Sequence, residues 1–283
     1  MTTHSAEERG RRAASFNESA EKYDRARPSC PAEVFDVLWD MARLGPEPRV
    51  VEIGCGTGQA SLSLAQRGAH LTCVEPGENM AAIARRKLSR FPRARVVVSK
   101  FEEWNPDGAR SDLVFASASW HWIEPDIRYL RAASALVQGG HLAVVHSDHV
   151  YPEGFDPLFL PIQGVYREVT GSQKEVATQP IPPPSAFDSQ DLEHIAEMDR
   201  TGRFELPAVA RVLWHFDRTA DEYIDLLGTY SDHWALEPDK RNRLFAGIHE
   251  IIARGSSGSI RKHYLTTIRV ARRSPISNGD NEA

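Results

Sequence analysis

The sequence predicts an α/β protein with a doubly wound, Rossmann-like, mostly parallel sheet of seven strands, an antiparallel edge strand and helical lid segments. Three observations predict this fold class. Short β-branched runs alternate with stretches of helical periodicity from residue 32 to residue 147. A glycine cluster follows the first of these runs, and the last β-branched run, residues 262–273, comes after helices instead of a simple crossover.

The first half of the chain alternates between strand and helix. Residues 32–43 carry apolar side chains at helical spacing, and Gly45 and Pro46 then end that helix. The predicted strands are 49–53, 70–76, 94–101, 111–119 and 141–147, and the helices among them are 59–67, 79–91 and 126–137. Strands separated by helices of this length imply right-handed parallel crossovers.

The second half is less regular. Prolines at 180 and 182–184 suggest a rigid connector within an insertion over 151–209. Strands at 210–219 and 262–273 are not joined by a simple crossover, so we expect an antiparallel hairpin at one sheet edge. The remaining predicted elements are helices at 219–231 and 238–254 and a disordered tail at 274–283.

Composition narrows the class of partner. A formal net charge of −5 and a pI near 6.1 disfavour nucleic acid, and 41% hydrophobic content with 26% charged residues is typical of a globular protein. Cys30, Cys55 and Cys73 fit neither a disulfide framework nor a zinc site. With no apolar run of signal-peptide or membrane-span length, we expect a cytoplasmic protein that has no membrane partner. We also expect a small-molecule substrate, and the sequence does not specify the oligomeric state.

The run Val50 to Gly58 joins a strand to a helix through three glycines. Glycines let the backbone turn sharply and approach a ligand, which the amides at the following helix end can bind. Glu75 ends the next predicted strand, 21 residues after Gly54, where doubly wound folds place a carboxylate on a ribose. The alternatives are a tight turn without a ligand and a solvated Glu75 ahead of Pro76.

The spacing G-x-G-x-G, with Glu52 two positions earlier, resembles motif I of the class I S-adenosylmethionine-dependent methyltransferases. The resemblance runs from residue 15 to residue 273 and is greatest to the small-molecule branch with trans-aconitate-type and type 11-like enzymes. Further matching segments are FNESAEKYDRARPSCP, SASWHWIEP, GTYSDHWAL and RKHYLTTIRVARR. It implies one methyltransferase domain over 1–273, with a lid at 1–45, a cofactor-binding half at 46–150 and carboxyl-terminal elements at 210–273.

The resemblance also implies which residues surround S-adenosylmethionine. They are Glu52, Gly54, Gly56 and Gly58 around the methionine portion, Glu75 on the ribose, Met80, Phe101 and Glu102 on the adenine, and Ser117 with Ala118 below the sulfonium. Met80 is equally consistent with an ordinary helix core residue. At Lys100 to Glu102 many relatives have a small residue followed by Asp, so the chain departs from the family pattern there.

The sulfonium is an activated electrophile, so holding the acceptor in line in a dry site supplies most of the acceleration. A base is needed only when the acceptor must lose a proton. His121, after the fourth predicted strand, is the candidate acid/base, with Trp120, Trp122 and Tyr23 as candidate substrate contacts. The alternative is a histidine that fixes its loop.

Other polar groups receive a simpler interpretation. His146, Asp148 and His149 are interpreted as a pocket rim, and no metal is expected. Residues 85–87 are interpreted as the solvated face of a helix. Three alternatives remain: a nicotinamide-dependent oxidoreductase, a nucleic-acid methyltransferase and a non-catalytic cofactor-binding protein. The sequence does not determine whether oxygen, nitrogen, carbon or sulfur receives the methyl group.

Overall fold

A computed structural model describes residue 17, residues 19–106 and residues 108–275. Residues 1–16, with Phe16 and part of the predicted lid, lie outside the described residues, as do residues 276–283 of the predicted tail. The strands are β1 Arg49–Ile53, β2 His70–Glu75, β3 Ala94–Val98, β4 Ser111–Ser117, β5 Leu136–Val150, β6 Ala208–Thr219 and β7 Ser259–Arg272.

Helices flank these strands, and a 3₁₀ turn, Trp120–Trp122, follows β4. None of the helices in the described part of the chain combines the length and apolar character that a membrane span requires. The helices are α1 Ala20–Ala26, α2 Ala32–Met41, α3 Gln59–Gln66, α4 Glu78–Leu88, α5 Pro125–Ala135, α6 Phe159–Thr170, α7 Ser189–Asp199, α8 Ala220–Leu227, α9 Ser231–Trp234 and α10 Pro238–Arg254.

The strands form one mixed sheet in the order β3-β2-β1-β4-β5-β7-β6. The pairs β2 with β3, β1 with β2, β1 with β4, and β4 with β5 are parallel. In β5 and β7, Ser147 bonds to Thr266 whereas Gly140 accepts from Arg273, so these strands run in opposite directions. The structure therefore confirms the doubly wound, mostly parallel sheet with an antiparallel edge.

The predicted insertion contains more regular structure than its prolines suggest. It holds helices α6 and α7, separated by an irregular segment that includes the four prolines. Helix α7 begins with a capping box, in which Asp188 accepts from the Asp191 amide and Asp191 accepts from the Asp188 amide. Such reciprocal caps satisfy amides that would otherwise lack partners, which helps this short helix to form.

Contacts divide the chain into two compact units. The larger unit comprises Ser29–Ser147, Pro182–Val212 and the residues from Thr266 onward, and it contains the parallel strands. One of its core clusters includes Val51, Val74, Val114, Ala132 and Leu142. The unit thus encloses the carboxyl ends of β1, β2 and β4, where ligands bind in open α/β sheets.

The smaller unit comprises the described residues up to Pro28, with Asp148–Ile181 and Leu213–Leu265. It has a core of its own, formed by side chains of α6, α8, α10 and β7. Its members include Phe159, Tyr223, Leu244, Ile248 and Ile260. Because each unit has a separate apolar core, each can lose packing without the same contacts being lost in the other.

A buried ionic network ties α7 to the strands of the larger unit. The Asp191 carboxylate accepts from Arg211 Nη2 at 2.6 Å and from Arg269 Nε at 2.5 Å. Asp191 is only 1% exposed, and both arginines are buried. Removing one member of such a network leaves an uncompensated buried charge, which is strongly destabilising.

The packing of α10 gives a test of the smaller unit's core. Ile248 is fully buried, so Ile248→Ala should lower the free energy of unfolding by about 2–5 kcal/mol through lost packing and a residual cavity. Leu160→Ala, at a 54% exposed position of the same unit, is the control and should change it by less than about 0.5 kcal/mol. Urea unfolding followed by circular dichroism measures both, and equal effects would contradict the assigned core.

Candidate functional site

The loop after β1 places three glycines in the left-handed region, with φ values of +62° at Gly54, +55° at Gly56 and +83° at Gly58. A Cβ on Gly54 would lie 2.6 Å from Ser119 Cβ, and one on Gly58 would lie 3.2 Å from Ala84 Cα. A Cβ on Gly56 would meet nothing within 4 Å. Packing thus requires the outer glycines, whereas the middle one borders open space.

Glu75, at the end of β2, fixes this loop. Its Oε2 accepts from the Gly56 amide and its Oε1 from the Gly77 amide, both at 2.8 Å. Glu75 is only 8% exposed, so the alternative of a solvated turn residue is wrong. Burial raises the pKa of this carboxyl, and the two amide bonds act in the opposite direction. Each oxygen keeps a lone pair for a further donor.

Glu52 lies beneath the loop with its carboxyl inside the protein. It is 2% exposed, and its Oε2 accepts from Ser61 Oγ at 2.5 Å and from Cys73 Sγ at 3.7 Å. Burial, aided by the charge of Glu75, raises the pKa of Glu52 to about 8 despite these bonds. The carboxyl therefore links β1 to α3 and β2 from below, and contact with a ligand's methionine portion stays a prediction.

The residue directly after β4 has a strained backbone conformation. Ala118 has a φ of +54°, and its amide donates to the Val145 carbonyl at 2.9 Å. This conformation costs a non-glycine residue about 1–3 kcal/mol and is found at functional sites. Ser117 precedes it as the last residue of β4. Ser117 and Ala118, the two residues predicted to lie below the sulfonium, therefore lie at a strand end whose backbone conformation is energetically unfavourable.

Ser119 is a site residue that sequence reasoning missed. Its Oγ donates to the Ile53 carbonyl at 2.5 Å, and its Cβ occupies the space that a side chain on Gly54 would need. It therefore joins the ends of β1 and β4. A single serine in the segment SASW carries no pattern, so the available signal was its position at the end of the predicted strand 111–119.

The three aromatic residues after β4 have different surroundings. Trp120 is 3% exposed and packs edge-on against Tyr129 at 5.0 Å, so it belongs to the core cluster of the larger unit. His121 and Trp122 are half-buried, with ring centroids 4.7 Å apart. The turn thus presents His121 and Trp122 at its partly open side, whereas a substrate contact by Trp120 stays a prediction.

The residues predicted around the adenine lie on two elements. Met80 is buried in α4, consistent with a core position. Phe101 is also buried and stacks on Trp104 with centroids 6.2 Å apart. Glu102 Oε1 accepts from the Glu124 amide at 3.1 Å, which anchors the segment after β3 to the start of α5. These contacts give Phe101 and Glu102 structural roles, and a role of either residue toward adenine stays a prediction.

The remaining predictions fall elsewhere. Tyr23 lies on α1 in the smaller unit. Across the described residues, no group of three or more His, Cys, Asp and Glu side chains could hold a metal ion. Burial, with the charges of Lys262 and His263, lowers the pKa of His149 to about 2, which favours a neutral ring.

The raised pKa of Glu52 predicts how the free energy of unfolding changes with pH. Between about pH 4.5 and 8 the folded protein holds a proton here that the unfolded chain has released, so this group lowers stability as pH rises, by up to about 1.4 kcal/mol per pH unit. Glu52→Gln removes that slope, and its stability relative to wild type should rise from pH 5.5 to 7.5 in urea titrations. Exposed Glu47→Gln is the control, because the pKa of Glu47 is lowered. A Glu52→Gln difference independent of pH would contradict a protonated Glu52.

Comparison with known proteins finds a family match over part of the chain. Residues 50–140 match the Methyltransf_25 family, described as a methyltransferase domain. The chain is 32% identical over 131 residues to an uncharacterized methyltransferase of Mycobacterium bovis, covering 46% of this chain and 51% of that protein. It is 37% identical over 105 residues to a trans-aconitate 2-methyltransferase of Variovorax paradoxus, covering 36% and 39%. The chain thus spans about half the length of the mycobacterial relative.

Solved structures share the fold. A protein from Anaeromyxobacter dehalogenans, assigned as a type II methyltransferase, has a TM-score of 0.56 at 23% identity, covering 88% of this chain and 99% of that one. A Haemonchus contortus phosphoethanolamine N-methyltransferase has a TM-score of 0.51 at 15% identity, covering 96% and 61%. The comparisons therefore show a match to a methyltransferase domain over residues 50–140 and a shared fold over most of the chain.

Proposed function

We propose that the protein transfers a methyl group from S-adenosylmethionine to a small-molecule acceptor. The observation that carries the proposal is the pairing of Glu75 with the Gly56 amide at the open side of the glycine loop. The matched domain and the methyltransferase names of the relatives support it. The comparisons offer no support for an oxidoreductase or a nucleic-acid methyltransferase.

The residues present fit this cofactor. Open space at Gly56 admits a ligand against the backbone, and the fixed Glu75 carboxylate retains lone pairs for the two hydroxyls of a ribose. Helix α3 begins at Gln59, directly after this loop, and the amino terminus of a helix favours a carboxylate through its dipole. Glu75 would hold the ribose, the loop from Gly54 to Gly58 the methionine portion, and Ser117 with Ala118 the region of the sulfonium.

When bound, S-adenosylmethionine supplies an activated methyl group, so the protein's task is to orient the acceptor and exclude water. Ala118 and Ser119 hold the strand end in one shape, which fixes the floor of the site. His121, half-buried beside this end, would accept a proton from a hydroxyl or amine acceptor. Trp122, next to its ring, would limit water at the same position.

The acceptor is proposed to be a small organic molecule. Relatives in Variovorax paradoxus and Delftia acidovorans bear the name trans-aconitate 2-methyltransferase, and trans-aconitate is a small carboxylic acid. Incubation with S-adenosylmethionine and a panel of carboxylic acids, phenols and amines, followed by measurement of S-adenosylhomocysteine release, tests the activity. Release no faster with any acceptor than without one would overturn the proposed transfer.

Gly56→Val tests the cofactor site. A side chain here enters the space open to the ligand and opposes the φ of +55°, so S-adenosylmethionine binding measured by calorimetry should fall at least 100-fold. Gly202→Val is the matched control, because Gly202 lies in the same unit with a φ of +61° and equally open surroundings. A folded Gly56→Val protein that binds as tightly as Gly202→Val would refute the site.

His121→Ala separates acceptor classes. With a phenol or amine acceptor, turnover should fall roughly 100-fold while cofactor affinity stays within a few-fold, because the proton has lost its acceptor. With a carboxylate acceptor, which needs no base, the change should mainly raise KM. His249→Ala, at an exposed position paired with Asp221, is the control. If His121→Ala and His249→Ala have the same kinetics with an efficient acceptor, His121 only fixes its loop.

A further inference from the structure

A lysine is buried among tyrosines in the smaller unit. Lys262, on β7, is only 4% exposed, and its Nζ donates to Tyr230 Oη at 3.1 Å. Tyr230 Oη in turn lies 2.9 Å from Tyr264 Oη. The ammonium also lies 5.1, 5.3 and 5.7 Å from the ring centroids of Tyr230, Tyr264 and Tyr223. We call Lys262, Tyr230 and Tyr264 the Lys262 cluster.

Lys262 has no acidic partner in the part of the chain that the structure describes. Among the described residues, no Asp or Glu forms an ion pair with its ammonium, and its side-chain hydrogen bond goes to a neutral hydroxyl. Taking an ammonium out of water without an opposite charge is unfavourable, and attraction to tyrosine faces offsets only part of that cost. The described residues around the cluster therefore compensate its positive charge only in part.

A second cation adds to this field. The Arg27 guanidinium lies 4.3 Å from the ring centroid of Tyr230 and is oriented by Thr229, which accepts from its Nε at 2.8 Å and from its Nη2 at 3.0 Å. Burial acts to raise the pKa of Tyr230, but Lys262 and Arg27, with the hydrogen bonds from Tyr264 and Lys262, lower it. The environment of Tyr230 thus stabilises negative charge.

The Lys262 cluster also has hydrogen-bond donors that its own bonds do not use. An ammonium and two phenols carry five polar protons, and the two bonds within the Lys262 cluster use two of them. The three remaining protons have no acceptor within the Lys262 cluster. Tyr230 and Arg27 are half-buried, whereas Lys262 and Tyr264 are buried, so a ligand would approach from the side of Tyr230.

We propose that the Lys262 cluster is a binding site for the carboxylate group of a small organic molecule. A carboxylate offers one negative charge and two oxygens, which match one buried ammonium and the unused protons around it. The tyrosine rings suit the carbon skeleton of an organic acid better than the hydration shell of an inorganic anion. Tyr23, a predicted substrate contact, lies at the edge of this site, with its ring centroid 5.2 Å from the Arg27 guanidinium.

Carboxylate binding at the Lys262 cluster is measured without S-adenosylmethionine, so its outcome does not depend on the methyl transfer proposed above. The probes are trans-aconitate and phenylacetate, each compared by calorimetry with its neutral counterpart, the trimethyl ester or phenylacetamide. We expect at least one carboxylate to bind at least tenfold more tightly than its neutral counterpart. If neither does, or if inorganic phosphate binds more tightly than both, the proposal is overturned whatever the cofactor affinity.

Variants test which lysine carries the binding. Lys262→Met should weaken the carboxylate at least tenfold, and Lys262→Arg should restore part of the affinity because the positive charge is retained. Lys240→Met is the matched control, since Lys240 lies in the same unit but is exposed on α10, and it should bind as wild type does. Equal affinity in folded Lys262→Met and Lys240→Met proteins would refute the site.

Tyr230 could instead supply the negative charge as a phenolate. Absorbance near 295 nm at pH 8, compared between wild type and Tyr230→Phe, measures this directly. We expect no phenolate signal that disappears in Tyr230→Phe, because the bound carboxylate is the partner of Lys262. A phenolate signal from Tyr230 at this pH would overturn the proposal, since the lysine would already have its counter-charge.

Discussion

The two oxygens of Glu75 accept the amide protons of Gly56 and Gly77, and the geometry of the larger unit's site depends on this bridge. It joins the glycine loop after β1 to the turn that begins α4, so two crossovers share one carboxylate. Because Glu75 is buried and its pKa raised, the amide bonds are what make the charged form tolerable there. The same group that shapes the loop thus keeps spare lone pairs at its open side.

Glu52 and Ser119 support this bridge from other directions. Glu52 lies below the loop with Ser61 and Cys73, whereas Ser119 connects the end of β4 to the last residue of β1. Ala118, in a conformation that costs free energy, sits between these supports. A strand end can hold such strain because hydrogen bonds on both sides fix its neighbours, and a pre-shaped floor then needs little rearrangement when ligands bind.

The buried cation of the smaller unit, Lys262, has different surroundings from the buried arginines of the larger unit. In the larger unit Arg211 pairs with Asp188 and Asp191, and Arg269 pairs with Asp191, so two carboxylates compensate the two charges within the protein. Lys262 is equally buried but is surrounded by hydroxyls and aromatic rings. An ammonium in such surroundings raises the affinity for an anion far more than the same group would in water, because the local dielectric is low. This contrast between compensated and uncompensated cations distinguishes a structural network from a candidate binding site.

The sequence by itself determined the alternation of strands and helices, the glycine loop and the position of Glu75, because local periodicity and turn chemistry encode them. It missed helices α6 and α7, since prolines dominated the composition and the Asp188 capping box was overlooked. Only the tertiary structure decided that Trp120 enters the core, that Ser119 fills the space opposite Gly54, and that Lys262 meets Tyr230 and Tyr264. These facts depend on contacts between residues distant in sequence, and no local pattern specifies which side chains such contacts leave without a partner.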